Sequence, residues 1–128
     1  YQALEDVKDD KQLAVFGQNM KDVYGKIPKE VELLIQKKRI DLLTEEEEFK
    51  SIEELPNQID IYMSDRFSRI NGIGATLFEK LIPWMKVLRV SFVQKQLRIC
   101  VKKEGEWMDA LEKIVKTIHK VYLTYKTD

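Results

Sequence analysis

Apolar residues recur at helical spacing along most of this chain and at alternate positions in one stretch, Val87 to Lys103. Leu13, Phe16, Met20 and Val23 share one face of a predicted helix over residues 10–24, and Gly25 is placed to cap its C-terminus. Ile27-Pro28 opens a second helix, where the missing N–H of Pro28 costs little. Val31, Leu34 and Ile35 form its buried stripe, and Lys37, Lys38 and Arg39 suit the negative end of the helix dipole. Thr44 and Glu47 have capping-box spacing, and the acidic run Glu45 to Glu48 suits the first turn of a third helix. That helix would bury Phe49, Ile52 and Leu55 and stop before Pro56. A fourth helix over residues 58–70 would turn Ile59, Met63, Phe67 and Ile70 inward. Asn71-Gly72-Ile73-Gly74 reads as a turn, and a short helix over residues 75–82 carries Leu77, Phe78 and Leu81 until Pro83 ends it.

The period then changes. Leu88, Val90 and Phe92 alternate with Arg89, Ser91 and Val93; Leu97, Ile99 and Val101 alternate with Arg98, Cys100 and Lys102. Placing Phe92 opposite Leu97 sets Val90 against Ile99 and Leu88 against Val101, so that all six apolar residues share one face of an antiparallel pair. The tip, Gln94-Lys95, lacks the Gly or Asn of a tight hairpin, which favours a wider loop or strands that are not neighbours. A long helix from Glu106 to Tyr125 closes the chain. Its stripe is Trp107, Leu111, Ile114, Ile118, Val121 and Tyr125, flanked by Met108, Val115 and Tyr122, wide enough to pack across a domain. The expected fold is α-rich α+β: a helical domain with a small antiparallel β-hairpin and a long C-terminal helix. Its element order resembles that of a winged-helix domain, with residues 75–86 as recognition helix and residues 94–96 as the tip of the wing.

At 128 residues, with 44% hydrophobic and 34% charged positions, the chain is expected to form one globular domain spanning residues 1–128. It begins at Tyr1 rather than Met, and the expectation is a fragment of a larger protein. No apolar run approaches the roughly 20 residues of a membrane-spanning helix, so no membrane is expected as a partner. A single cysteine cannot form an internal disulfide, which fits an intracellular setting, nuclear or cytoplasmic.

Net charge is zero but unevenly spread. Residues 1–64 hold 9 Lys/Arg against 15 Asp/Glu, whereas residues 65–128 hold 13 against 7. Such a chain can carry one basic face, pair head to tail with itself, or dock an acidic protein. The outward side chains of the β pair would be Arg89, Ser91, Arg98, Cys100 and Lys102. The expected partner-binding face is therefore Arg89, Lys95, Arg98 and Lys102, with Trp84 beside Pro83 at its edge. The alternative is a nucleic-acid surface built from Arg66, Arg69, Lys80, Arg89, Lys95 and Arg98, whose cations would meet phosphates. Ile70-Asn71-Gly72-Ile73-Gly74 followed by a helix resembles the hairpin of a helix-hairpin-helix motif, in which backbone N–H groups hold a DNA phosphate. It departs from that pattern at Phe78, where a small residue belongs, and at Pro83; a turn over Ile73 explains the same residues.

Catalysis finds little support. His119 is the only histidine and is flanked by Lys116 and Lys120, an ordinary surface context, so neither a histidine dyad nor a multi-histidine metal site can be assembled. Four consecutive glutamates on a helix would diverge, which speaks against a metal at Glu45 to Glu48. Cys100 between Arg98 and Lys102 would gain reactivity if those cations lowered its pKa. No phosphate-binding loop or dinucleotide fingerprint occurs. Trp107 is expected in the core. The function read from these features is a non-catalytic protein-protein interaction or self-association module of a larger assembly, with no cofactor, metal or small-molecule substrate.

Overall fold

The computed structural model describes residues 2–126. The chain divides into two compact units, Tyr1–Leu43 and Thr44–Asp128.

The first unit consists of α1 (Gln2–Glu5), α2 (Asp10–Tyr24) and α3 (Lys29–Leu43). Asp9 caps α2 by accepting the Gln12 N–H at 2.8 Å, the side-chain acceptor a helix N-terminus needs. Gly25 ends α2 at φ 73°, a left-handed conformation that favours glycine, and donates to the Lys21 carbonyl. Pro28 precedes α3 as expected, its carbonyl accepting the first helical N–H groups from Val31 and Glu32. Leu4, Val7, Leu13, Val31 and Ile35 form the core, with Phe16, Met20, Ile27 and Leu42 packed against it. Two expected core residues lie outside: Val23 is 73% and Leu34 39% exposed, while Ile40 is buried.

The second unit holds a four-stranded antiparallel sheet in the order β1-β2-β4-β3. Its strands are β1 (Phe49–Glu54), β2 (Gln58–Met63), β3 (Leu88–Val93) and β4 (Gln96–Lys102). Between the two hairpins run α4 (Asp65–Ser68), α5 (Ile73–Lys80) and a 3-10 turn at Ile82–Trp84; α6 (Trp107–Lys126) follows the sheet. The helices predicted over residues 44–55 and 58–70 are thus replaced by β1, β2 and the short α4. Ile59, Met63 and Phe67 are buried as expected, because spacing of four residues satisfies both a helix turn and a strand's period of two. Ile61, fully buried, breaks the tie: it completes Ile59-Ile61-Met63 as one face of a strand. The α+β class stands. The predicted two-stranded wing is the edge half of a larger sheet, and this topology does not establish a winged helix.

The register of β3 and β4 is the expected one, pairing Leu88 with Val101, Val90 with Ile99 and Phe92 with Leu97. The hairpin tip departs from expectation. Val93 pairs with Gln96 across a two-residue turn, with Gln94 at φ 53° and Lys95 at φ 66°. Both are left-handed without being glycine, a conformation matched to the twist of the strands. On the inner face Ile59, Ile61, Met63, Leu97, Ile99 and Val101 are buried together with Leu111, Ile114, Val115, Ile118, Val121 and Tyr122 of α6. Phe92, at the edge, stays 57% exposed. Ser68 ties α4 to β4: its hydroxyl accepts the Leu97 N–H at 3.0 Å and donates to the Ser64 carbonyl at 2.9 Å.

Candidate interaction face

Strand pairing alone determines what the outer face of the sheet carries. Residues between the buried positions line up as Glu53-Asp60-Cys100-Arg89 in one row and Ser51-Tyr62-Arg98-Ser91 in the next, with Gln58 beside Lys102. A groove of about 400 Å³ opens on this face. It is lined by Lys86, Arg89, Arg98 and Lys102, by Gln58 and Cys100, and by Met85, Val87 and Leu88. Four cations around a partly apolar trough suit an anionic group attached to an apolar body.

Neighbouring side chains set the chemistry of the face. Arg98 hydrogen-bonds Tyr62, which raises its pKa further, so its charge is permanent. Two polar atoms here, Ser91 Oγ and Arg98 Nε, are buried without a partner, a cost that persists until something satisfies them. Asp60 is buried and accepts from Gln58 Nε2 at 2.7 Å. Cys100 is corrected by the structure. Burial pushes its thiol pKa up, and the hydrogen bond to Asp60 adds to the rise; Arg98 and Arg89 pull it down, but by less. The thiol is therefore less reactive than an ordinary one, not more.

The expected partner residues are placed unevenly. Arg89, Arg98 and Lys102 come together on the outer face. Lys95 is exposed at the hairpin tip, away from the groove lining, and Trp84 is half-buried in the 3-10 turn just before Met85. Strand pairing brings Gln58 beside Lys102, while Met85 and Lys86 join the lining from the segment just before β3. The nucleic-acid set is divided. Arg66 belongs to the α6 side of the sheet, 3.7 Å from Glu47, which accepts from Tyr122 of α6. Arg69 is the C-terminal cap of α4 and Lys80 ends α5, both exposed. Gly72, at φ 78°, heads α5. Trp107 is half-buried with the Lys103 ammonium 5.1 Å from its ring centre.

His119 also departs from the surface context expected of it. Its Nδ1 lies 2.6 Å from Oε1 of Glu48, a fully buried carboxylate immediately before β1. Nothing local in the sequence announces a pair separated by 71 positions.

The model of the TRCF domain matches residues 1–79, more than half of the sequence. The chain belongs to the TRCF domain family. The match takes in the first unit, β1, β2 and nearly all of α5, and stops before β3 and β4. A crystal structure of the C-terminal domain of a transcription-repair coupling factor has the same fold, with a TM-score of 0.70 over 94% of this chain and 77% of that chain. The two share 12% sequence identity, so the likeness speaks for the fold. No curated protein matches. Among the described residues of this TRCF domain, no helix is long and apolar enough to cross a membrane.

Proposed function

We propose that this TRCF domain is a non-catalytic protein-binding module of a larger intracellular assembly, and that the basic outer face of its sheet docks an acidic segment of a partner. The observation that carries the reading is the groove lined by Lys86, Arg89, Arg98 and Lys102 together with Met85, Val87 and Leu88. Carboxylates would meet the cations while an apolar side chain fills the trough, the mixed chemistry typical of protein interfaces. The remaining cations of the nucleic-acid set, Arg66, Arg69 and Lys80, lie outside the lining of this groove. The raised thiol of Cys100 argues against nucleophilic catalysis from it. The name of the solved relative, a transcription-repair coupling factor, suggests a partner among proteins of transcription or repair.

Fluorescence anisotropy tests the reading with two probes: labelled Asp/Glu-rich peptides containing one Leu or Phe, and a labelled DNA duplex. Saturable peptide binding that the double reversal Arg89→Glu, Lys102→Glu abolishes is expected. Duplex binding with a steep salt dependence, and none to peptides, would overturn the proposal in favour of nucleic acid. Sedimentation across a concentration series reads self-association separately.

A further inference from the structure

The acidic run Glu45 to Glu48 is not helical. It lies in a turn between α3 and β1, closed by the Phe49 N–H donating to the Glu46 carbonyl, with the Ser64 N–H donating to the Glu48 carbonyl. A turn sorts consecutive side chains differently from a helix. Glu47 is drawn off toward Tyr122, which donates to it at 2.8 Å, and toward Arg66. Glu46 and Glu48, two residues apart, converge instead on His119 of α6. One ligand atom from each of Glu46, Glu48 and His119 lies within 4.8 Å of the others.

Glu48 gives the cluster its meaning. It is fully buried, one oxygen is 2.6 Å from His119 Nδ1, and the other, Oε2, is buried with no hydrogen-bond partner. A buried carboxylate oxygen without a donor is costly, and a cation beside it removes the cost. We propose that Glu46, Glu48 and His119 bind a zinc ion that clamps the turn before β1 to α6.

The ligand chemistry selects the metal. Two carboxylates and an imidazole make three protein ligands and leave one tetrahedral position for water. Calcium and magnesium prefer all-oxygen shells, whereas imidazole suits zinc, which outcompetes manganese at mixed N/O sites. Metal–ligand distances of about 2.1 Å place tetrahedral ligand atoms about 3.4 Å apart. The 2.6 Å contact between Glu48 and His119 would open modestly to admit the ion, and the exposed Glu46 would close over it. Glu46 and His119, partly open to solvent, provide the way in.

The test titrates Zn2+ into the whole chain against a chromophoric chelator, follows thermal melting alongside, and records the imidazole resonances of His119, the only histidine. One equivalent bound, a melting temperature rising with zinc and displaced His119 signals are expected. Glu46→Gln changes an exposed side chain and should leave the metal-free melt unchanged while weakening zinc about tenfold or more. His119→Gln should weaken zinc as much but also lower the metal-free melt, because it removes the partner of buried Glu48. Cys100→Ser should leave zinc binding unchanged. The proposal falls if the wild type takes up no zinc at micromolar protein, if binding survives Glu46→Gln together with His119→Gln, or if Cys100→Ser abolishes it.

Discussion

The two faces of the sheet share strands and differ in everything else. Along β4, Leu97, Ile99 and Val101 are fully buried beneath α6, while Arg98, Cys100 and Lys102 between them border a charged groove. One side supplies stability and the other carries the proposed recognition surface, and the period of two in a strand keeps the two sets of side chains apart. A substitution on one face should therefore cost folding free energy, and on the other binding alone. The charge follows the same logic. The first unit carries eight Lys/Arg and eight Asp/Glu and is neutral. The asymmetry between the halves of the chain thus sits within the second unit, between the turn and β1 on one hand and β3–β4 on the other.

The largest expected effect comes from the inner face. Ile99→Ala removes a fully buried side chain and should lower stability by about 3 kcal/mol, measured by urea denaturation. A loss below about 1 kcal/mol would mean that this face is not the core it is taken for. Ser68→Ala leaves the Leu97 N–H without its acceptor, a predicted loss of about 2 kcal/mol in the same assay. Lys95→Gly relieves a left-handed backbone at the hairpin tip and should add about 0.5–1 kcal/mol. Destabilisation would show that the two-residue turn does not form. Arg89→Ala on the outer face should shift stability by less than about 0.5 kcal/mol while weakening peptide binding; a large loss of stability would erase the division between faces.

The smallest effect is a pH dependence. The folded thiol of Cys100 holds its proton to higher pH than the unfolded one. Its contribution to stability is therefore full below the ordinary thiol range and lost as pH rises through the folded pKa. Stability should fall more steeply in the alkaline range for the wild type than for Cys100→Ser. Equal slopes would place the thiol in solvent.

Legibility along the sequence followed the uniqueness of each local pattern. In β3 and β4 the alternation admits only one face, and the register could be read from it; α2, α3 and α6 carry helical stripes too long for any strand. Residues 49–63 went astray because Ile59, Met63 and Phe67 fit a helix as well as a strand. Pro56, which suits a helix stop, lies with Asn57 in the turn of a hairpin, where the Leu55 N–H donates to the Gln58 carbonyl. Alternation after the Pro-Asn pair, at Ile59, Ile61 and Met63, was the signal available; before it Phe49, Ile52 and Leu55 recur every third residue across an irregular β1. Arg89, Arg98 and Lys102 could be found because strand period alone placed them together. Lys86 and Gln58 could not, nor could Glu48 and His119, whose meeting depends on how α6 packs.

The most direct measurement is amide chemical-shift mapping on the isotopically labelled chain, titrated with an acidic, leucine-containing peptide. Perturbations confined to residues 85–91 and 98–102 and to Gln58, absent from α6, are predicted. Shifts clustered on α4 and α6, or none at saturating peptide, would contradict the assignment of recognition to the basic face.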